Sequence, residues 1–317
     1  MINPLPSRAL RQSEVGLGLL CGVAAFMIWG LFPLYLKQLS AASALEILAH
    51  RIVWSTPFGA IIIFARRQWP EVGAAFRSRR VLVMLTMSAF AIAANWGLYV
   101  WAVVNDRVLE ASIGYYINPL MYVAAGVFVL GERLRRAQIA AIALAGAGVL
   151  ILTIGASQFP WTAITLAVLF TAYGYIRKTA PVGAMPGLFI ETLILSPVAL
   201  AYIFWLMQTG AAAFAGADHR LTVLLVIAGP VTVIPLLFFA LAARRLRLST
   251  IAFLQYIAPT GQLILGLLYG ERFTLAHAIC FGFIWAGLAL FSFDAARASR
   301  APAATLIPAA SASPKSS

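Results

Sequence analysis

Four ionisable side chains stand inside apolar stretches of this sequence. Glu46, His50 and Arg51 share one stretch, and Glu191 lies in a later stretch that aligns with the first, opposite His50, at a shift of 141 residues. Glu46 and His50 are four residues apart, so a helix places them on one face, where a contact of Glu46 with His50 or Arg51 would lower the cost of burial. Charges at membrane depth are rarely kept without a partner or a water-filled cavity. We therefore predict proton or substrate-charge sites, one near each mouth of a bundle; the alternative is an ion pair that only stabilises helices.

A second group of residues combines aromatic rings with amides and hydroxyls. Polar tips among aromatic walls suit a small organic ligand with an apolar or aromatic part, including a cation held over a ring. Interfacial aromatic belts and hydrogen bonds between helices are the competing explanation. The predicted substrate-binding residues are Asn95, Trp96, Tyr99, Tyr115, Tyr116, Asn118, Gln255, Tyr256 and Gln262.

Prolines and glycines recur at matched positions. A shift of 140 aligns Pro119 with Pro259, and a shift of 144 aligns Gly30 with Gly174. A proline in mid-helix removes a backbone hydrogen bond and bends the helix, and paired breaks in two halves point to a binding site. We predict helix-break or gating roles for these four residues, with a passive packing kink as the alternative. Small residues further predict that the fifth and tenth spans pack together; these are Ala143, Ala147, Gly148, Gly282, Ala286 and Gly287.

The elements that carry all these residues must be membrane helices. The chain of 317 residues is 62% hydrophobic and only 10% charged, with a mean hydropathy of +0.91, whereas soluble domains carry about 25% charged residues. Because one span needs about 20 apolar residues, the length has room for about ten spans and for no soluble domain. The predicted spans are 15–36, 43–65, 81–104, 109–131, 137–155, 160–177, 184–207, 221–243, 248–270 and 273–293.

The basic residues indicate orientation rather than nucleic-acid binding. The net charge is +13, but 18 of the Lys and Arg residues fall in the N-terminal segment, alternate loops and the tail, against 4 in the opposite loops. Because cytoplasmic loops are rich in Lys and Arg, both termini are predicted to be cytoplasmic, with the protein in the inner membrane. Cys21 and Cys280 lie within apolar runs, so neither a disulfide framework nor a metal site is predicted, and no cofactor.

Internal similarity divides the chain into two halves. A shift of 139 aligns Gly131-Glu132-Arg133 with Gly270-Glu271-Arg272, and a shift of 140 aligns Tyr116-Ile117 with Tyr256-Ile257. The predicted fold is all-α, with ten transmembrane helices as two five-helix repeats, 15–155 and 156–294. A cytoplasmic N-terminal segment, 1–14, and a disordered cytoplasmic tail, 295–317, flank them. Because five is odd, the second repeat must enter the membrane from the opposite side, so the repeats are inverted.

Several longer motifs carry a family resemblance. They are the stretches 43–51, 95–103, 109–120 and 187–192, together with Gly131-Glu132-Arg133-Leu134. These motifs resemble the RarD family, which belongs to the EamA-domain branch of the drug/metabolite transporter superfamily, and the resemblance runs to about Asp294. It implies a ten-helix bacterial inner-membrane permease whose relatives export amino acids, drugs and other metabolites. The RarD branch is usually labelled chloramphenicol-sensitive, a name that fixes no substrate.

Inverted repeats favour transport, because two similar halves of opposite orientation can exchange conformations and open one site to either side. The sequence has no GxxxxGK(S/T) phosphate loop, so a gradient is the predicted energy source, with protons as the candidate coupling ion. It has no HExxH or GxSxG motif either, which argues against an enzyme. We predict a secondary transporter, with export favoured, of a small organic solute such as an amino acid, amine or drug-like metabolite. A lipid flippase and a non-transporting membrane sensor or assembly factor are the alternatives.

Overall fold

The computed structural model describes residues 8–130, 136–155, 159–243, 245–246, 250–251 and 254–300, and every regular element within them is a helix. This described part of the chain is all-α, as predicted. Its eleven helices are α1 (Arg8–Gln38), α2 (Ala44–Ala65), α3 (Trp69–Arg77), α4 (Arg79–Val104), α5 (Val108–Leu130), α6 (Arg136–Gly155), α7 (Trp161–Thr179), α8 (Ala184–Gln208), α9 (His219–Ala243), α10 (Ile257–Leu268) and α11 (Leu275–Arg300).

Seven of the described helices are long and apolar enough to cross a bilayer. They are α1 from Glu14, α2, α4, α6, α8, α9 and α11 as far as Asp294. Helices α5 and α7 lie where two further spans were predicted, and α10 is a shorter apolar helix of 12 residues. The total of ten spans therefore stays a prediction.

Several helix ends differ from the prediction. Helix α1 already begins at Arg8, within the segment expected to precede the first span, and α11 continues to Arg300, within the expected tail. Hydropathy marks only the part of a helix in the membrane, and both extensions are rich in Ala and Arg, which are good helix formers in water. Helix α3, with 9 residues between α2 and α4, was not predicted. Residues 1–7 and 301–317 lie outside the described part, so the tail prediction is untested there.

Pro259 is not in mid-helix. It is the third residue of α10, which begins at Ile257 after a turn at Gln255 and Tyr256. Because the first N–H groups of a helix have no partner within it, a proline fits the first turn without loss of a hydrogen bond. The expected mid-helix position therefore applies to Pro119 in α5 and not to Pro259.

Helices α6 and α11 pack along each other, as the small residues predicted. A Cβ added at Gly148 would lie 3.0 Å from the backbone oxygen of Cys280, and one at Gly287 would lie 2.8 Å from that of Ala141. These two glycines let the helix backbones approach closely. The other small residues contribute less, because Ala143, Gly282 and Ala286 are exposed.

Most of the other extensive helix contacts join the first five predicted spans to the second five, and the contact of α2 with α4 is the main one within a half. Helix α1 packs against α9 and α10, α2 against α8 and α9, α4 against α7 and α8, and α5 against α7 and α10. At the contact of α2 with α9, a Cβ at Gly229 would overlap the backbone carbonyl of Trp54, so only glycine fits there. The centre of the molecule is therefore built from both halves, while large apolar side chains such as Phe64, Val198 and Leu275 face outward.

Candidate functional site

Arg51 is enclosed by side chains from three neighbouring helices. It lies on α2 and is only 4% exposed. Its guanidinium carbon is 4.8 Å from the ring centre of Phe32 on α1 and 4.7 Å from that of Trp96 on α4. Its Nε donates a hydrogen bond to Thr232 Oγ1 on α9 at 3.2 Å. We call Arg51, Phe32, Trp96 and Thr232 the arginine cage.

The arginine cage contains no carboxylate. Among the described residues, no Asp or Glu oxygen lies within 4.0 Å of a nitrogen of Arg51, and its Nη1 is buried without a hydrogen-bond partner. A buried charge without an opposite charge is unfavourable by several kcal/mol, and each cation–π contact offsets about 0.5–2 kcal/mol of this. The guanidinium thus has fewer partners than its burial calls for.

Aromatic and amide side chains extend the arginine cage along α4 and α5. The ring of Tyr99 stacks on that of Phe32 at 6.2 Å, and the ring of Tyr115 meets Tyr99 edge-on at 5.6 Å. The hydroxyl of Tyr115 donates to Asn95 Oδ1 over a long 3.5 Å, and the Asn95 amide donates to the backbone oxygen of Leu166 on α7 at 3.0 Å. Four residues of the predicted binding set, Asn95, Trp96, Tyr99 and Tyr115, are therefore brought together around Arg51.

Three tyrosines continue the aromatic wall that Phe32 presents to Arg51: Tyr35 and Tyr99 stack on Phe32, and Tyr115 contacts Tyr99. Tyr35 donates its hydroxyl proton to the backbone oxygen of Leu224 at 2.7 Å. The Tyr99 hydroxyl is buried with no hydrogen-bond partner in the described part of the chain. The surroundings of Arg51 are therefore polar at the tips and aromatic at the walls, as a site for a small organic molecule requires.

Glu46 and His50 contact the loop between α8 and α9. Glu46 Oε1 accepts hydrogen bonds from the backbone N–H groups of Ala213 and Phe214, at 2.8 and 2.9 Å. His50 Nδ1 accepts one from Trp54 Nε1 at 3.1 Å, and the His50 ring lies 4.6 Å from that of Phe214. No described ion pair joins Glu46 to His50 or to Arg51, so the contact expected between these side chains is replaced by attachment of the loop. His50 Nε2 is buried without a described partner.

Glu191 on α8 is fully buried and has a cation beside it. Its Oε1 accepts a hydrogen bond from the Ser88 hydroxyl on α4 at 2.7 Å and lies 3.5 Å from Arg177 Nε on α7. Arg177 also donates through Nη2 to the backbone oxygen of Gly183 at 2.8 Å, just before α8 begins. Its guanidinium lies so close to Gly187 that a Cβ there would overlap it. Glu191 is therefore linked through Arg177 to the start of its own helix.

Arg51 and Glu191 occupy equivalent positions in helices that pack against each other. Each is seven residues after the first residue of its helix (51 − 44 in α2, 191 − 184 in α8). Each also shares a hydrogen bond with a hydroxyl of a neighbouring helix, on α9 for Arg51 and on α4 for Glu191. Counted from the helix starts, Glu191 matches Arg51, one residue from the match with His50 that the sequence shift of 141 gives.

The other aromatic residues of the predicted set line a separate cavity between α5, α10 and α11. Tyr116 and Thr260 share a hydrogen bond of 2.6 Å between their hydroxyls, and the rings of Tyr116 and Tyr256 stack at 6.2 Å. Trp285 and Phe293 on its wall are 48% and 67% exposed, so we call it the lateral cavity. It has a volume of about 570 Å³ and is lined by Tyr116, Tyr256, Thr260, Trp285, Leu288, Ala289, Ser292 and Phe293.

Three amide residues of the predicted set have no described hydrogen bond to the arginine cage. Gln262 donates through Nε2 to the backbone oxygen of Trp29 at 3.3 Å. Asn118 is buried, and its Oδ1 has no partner among the described atoms. Gln255 is half-buried in the turn before α10. The nine predicted binding residues therefore do not form one cluster.

Gly30 lies where α1 approaches α10. A Cβ at Gly30 would be 3.3 Å from the backbone oxygen of Ala258, and one at Gly261 would be 3.0 Å from Gly30 Cα. Near this contact the Ser112 hydroxyl of α5 donates to the backbone oxygen of Pro259 at 2.8 Å. Gly174 lies within α7. Close approach explains the glycine at position 30, whereas gating by these residues stays a prediction.

Sequence reasoning missed several residues around the two buried charges. Phe32, Ser88 and Thr232 were hidden in apolar runs, and Arg177 was counted among the loop cations because it lies near the end of α7. One signal could have found two of them. The shift of 144 that aligns Gly30 with Gly174 also aligns Ser88 with Thr232, the two hydroxyl residues that contact Glu191 and Arg51.

Loops at one end of the bundle are joined by charged groups. Glu271, between α10 and α11, accepts hydrogen bonds from the backbone N–H groups of Val108 and Leu109 at 2.7 and 2.8 Å. Burial raises the pKa of the Glu271 carboxyl above its usual value, and the two N–H donors oppose this only in part. Lys37 pairs with Asp106 in the neighbouring loop. This end of the bundle is therefore held together by several polar contacts.

Comparison with known proteins points to one family of transporters. Residues 16–154 match the EamA-like transporter family. A protein named RarD from Streptomyces exfoliatus is 44% identical over 94% of this chain and 95% of its own length. The protein RarD of Escherichia coli is 42% identical over 88% of this chain and 94% of its own, and an uncharacterized transporter of Vibrio cholerae is 44% identical over 92% and 96%. A crystal structure of a protein that is 22% identical superimposes with a TM-score of 0.56 over 88% of this chain and 99% of that one, which supports the fold alone.

These matches define the molecule as a multi-pass membrane transporter with relatives in bacteria. The chain belongs to the RarD family, in the EamA branch of the drug/metabolite transporter superfamily. The resemblance seen in its motifs is confirmed.

Proposed function

We propose that this transporter moves a small organic solute across the bacterial inner membrane by alternating access, driven by a gradient and working as an exporter. One observation carries the proposal. The buried Arg51, with the Thr232 hydroxyl of α9, and the buried Glu191, with the Ser88 hydroxyl of α4, form two matching polar pairs, each of which joins one half of the chain to the other. Polar groups at the interface of two repeats are typical of transporter binding and coupling sites.

The pairing of helices supports two repeated halves. One half would contain α1, α2, α4, α5 and α6, and the other α7 to α11. Exchanging the halves in order converts the contact of α1 with α9 into that of α7 with α4, and the contact of α5 with α7 into that of α10 with α1. The contacts of α2 with α8, α5 with α10 and α6 with α11 are unchanged by the exchange. This is the pattern of a two-fold axis, and with five spans in each half that axis lies in the membrane plane.

Contacts between loops support the predicted sides of the membrane. The bonds of Glu46 to residues 213–214 and of Glu271 to residues 108–109 join segments that the charge distribution predicts to be outside. Glu71 accepts a hydrogen bond from Gly183, and Arg245 pairs with Glu14, which joins segments predicted to be cytoplasmic. In the described part of the chain no ion pair crosses between the two ends. The orientation itself follows from the excess of Lys and Arg, with both termini cytoplasmic.

Glu191 is the proposed proton-coupling residue. It lies about 10 Å along α8 from the predicted cytoplasmic end, at about 1.5 Å per residue. Protonation of Glu191 would weaken its attraction to Arg177 and leave that side chain free to change its bonds to residues 183–184, where α8 begins. This links a proton to a helix movement. His50 is the proposed second group near the opposite mouth. Gly30, Gly174 and Pro119 are proposed bending points, and the turn just before Pro259 is the proposed break in the second half.

The test is transport by the purified protein in proteoliposomes. Uptake of radiolabelled amino acids, amines and amphenicols is measured with and without a pH gradient. We expect at least one solute to be taken up faster with the gradient. In Glu191→Gln this acceleration should be lost, while exchange of labelled for unlabelled solute without a gradient continues.

The matched control is Glu14→Gln, which removes an exposed carboxylate at the surface and should leave gradient-driven uptake unchanged. If the wild-type protein carries none of these solutes across the membrane, the transport proposal is wrong for amino acids, amines and amphenicols. If Glu191→Gln and His50→Ala both keep gradient-driven uptake, the coupling residues are wrong although the class of function stands.

The lateral cavity favours a lipid flippase as the second candidate. It opens at the outer face of the bundle and is lined mainly by apolar and aromatic side chains, such as Phe293 and Leu288. The same proteoliposomes can be loaded with fluorescently labelled phospholipid. Transfer of that lipid between leaflets, with no uptake of soluble solutes, would support the flippase and contradict solute transport.

A further inference from the structure

We propose that Arg51 binds the carboxylate of the transported solute, so that the arginine cage selects small organic anions with an apolar or aromatic body. The inference rests on the proposed transport function and names the substrate class of that same site. It follows from three features of the cage: the missing counterion, the contrast with Glu191, and the aromatic walls.

The first feature is the set of partners that Arg51 has. Phe32 and Trp96 cover the guanidinium at 4.8 and 4.7 Å, and Thr232 occupies Nε. Nη1 remains buried with no partner in the described residues. The unpaired side of the Arg51 guanidinium matches a carboxylate. A carboxylate can accept two hydrogen bonds from a guanidinium, and it supplies the missing negative charge.

The second feature is the contrast with the equivalent residue of the other half. Glu191 is matched in position with Arg51 but has a protein counterion, since Arg177 on α7 lies 3.5 Å away. The helix that corresponds to α7 in the first half is α1, and it presents the Phe32 ring to Arg51 instead of an acid. One of the two buried charges is therefore neutralised by the chain itself, and the other is left for a ligand.

The third feature is the wall beside the guanidinium. Tyr99 and Tyr115 extend the aromatic surface of Phe32, and the buried Tyr99 hydroxyl has no described partner to which it donates. An apolar or aromatic body can stack on these rings while its carboxylate reaches Arg51. A solute that carries only an amine would meet the charge of Arg51 with no acid of the cage to compensate, so amines are expected to bind poorly.

Binding to the detergent-purified full chain tests the class of ligand without any mutation. The probes are matched pairs of acid and amide: hydrocinnamate with hydrocinnamamide, hexanoate with hexanamide, and phenylalanine with phenylalaninamide. Phenethylamine represents the cations and benzylphosphonate the phosphate-like anions. We expect the acids to raise the apparent melting temperature at concentrations about tenfold lower than their amides. Equal effects of acid and amide in every pair, or stabilisation by the amine or only by the phosphonate, would overturn the proposal.

Variants then test the residue. Arg51→Gln should weaken binding of the acids at least about tenfold and change binding of the amides less than about twofold. Arg51→Lys keeps the positive charge but not the planar guanidinium. Its affinity for the acids should therefore lie between those of the wild-type protein and Arg51→Gln. The matched control is Arg107→Gln, which removes a guanidinium that also lies over an indole, 5.2 Å from Trp101, but has its own carboxylate at 3.3 Å in Glu110. Loss of acid binding in Arg107→Gln equal to that in Arg51→Gln would contradict the assignment to the cage.

Failure of this inference can be told from failure of the transport proposal. If the acids bind but no solute crosses the proteoliposome membrane, Arg51 recognition stands and transport does not. If amines are transported at a rate that Arg51→Gln leaves unchanged, transport stands and the carboxylate assignment is wrong.

Discussion

At the scale of single residues, burial of a charge in this chain is balanced in two different ways. Glu191 takes an arginine and a serine hydroxyl from neighbouring helices, whereas Arg51 takes two aromatic faces and a threonine hydroxyl. A carboxylate can be neutralised by a proton, but a guanidinium keeps its charge at any physiological pH. The acid is therefore suited to coupling with protons, and the arginine to recognition of a fixed negative charge.

Glu271 is expected to make the stability of the protein depend on pH. Because burial raises its pKa in the folded protein, the folded state favours the protonated carboxyl. That contribution to stability is complete below the pKa of the unfolded chain and is lost as the pH rises through the folded-state pKa. We expect the wild-type melting temperature to fall more than that of Glu271→Gln as the pH rises from about 4, just below the ordinary pKa of glutamate, to about 7. Thermal unfolding of both proteins in one detergent measures this.

Glu271→Gln also replaces one of two acceptors by a donor, since Val108 and Leu109 donate to different oxygens. At about pH 5 the variant should therefore be less stable by about 1–2 kcal/mol. The reverse result, a variant with the steeper loss at higher pH, would contradict the assigned pKa shift. Glu14→Gln serves as the control, because the Glu14 side chain is 61% exposed.

At the scale of helices, backbone contact decides which small residues matter. Helices in lipid gain no hydrophobic energy from pairing, so close packing through small residues stabilises their contacts. Gly229 lets α9 rest on the backbone of Trp54 in α2, and Gly148 and Gly287 do the same for α6 and α11. Gly146, only two residues from Gly148, has nothing within 4 Å of an added Cβ.

Gly229→Ala is expected to destabilise the contact of α2 with α9. The methyl group would overlap the Trp54 carbonyl, and overpacking of this kind destabilises a fold by about 1–3 kcal/mol. Gly146→Ala is the control, where the better helix propensity of alanine should leave stability equal or higher by up to about 1 kcal/mol. The stability of both variants is measured by thermal unfolding in detergent and by the fraction of protein that size-exclusion chromatography recovers afterwards. Equal stability of the two variants would show that α2 and α9 are not in backbone contact.

At the scale of the whole molecule, both predicted halves contribute residues to each of the two buried charged clusters. The arginine cage uses α1, α2 and α4 with α9, and the Glu191 cluster uses α7 and α8 with α4. A movement of one half against the other would therefore change both charged sites together. This coupling is what alternating access around a central site requires.

Accessibility of two matched loops tests the inversion. Ala74→Cys, on α3 between α2 and α4, and Ala211→Cys, between α8 and α9, occupy corresponding connections of the two halves, and both alanines are exposed. With inverted halves, a membrane-impermeant maleimide added to intact cells should label position 211 and not position 74. The native Cys21 and Cys280 are buried, and labelling of the wild-type protein measures the background signal from these two residues. Labelling of both new cysteines from the same side would rule out the inverted arrangement.

The sequence by itself determined the class of the molecule. Apolar runs of membrane length fixed most helices to within a few residues, because one span must satisfy its backbone inside the lipid and can hardly be anything but a helix. The motifs identified the family, and the buried charges at positions 46, 50, 51 and 191 were visible because charge is rare in such runs. Helix ends in water, such as Arg8 in α1 and Arg300 in α11, were missed because hydropathy does not report them.

Only the tertiary structure decided which of these residues meet. Consecutive residues of a helix point about 100° apart around its axis, so Tyr115 joins the surroundings of Arg51 while Tyr116 lines the lateral cavity. Glu46 pairs with the backbone of a loop about 170 residues away, and Arg51 acquires rings from α1 and α4. The physical reason is that the partners of a buried group come from other helices. Their rotation and depth follow from close packing such as that at Gly229, which no pattern along a single helix contains.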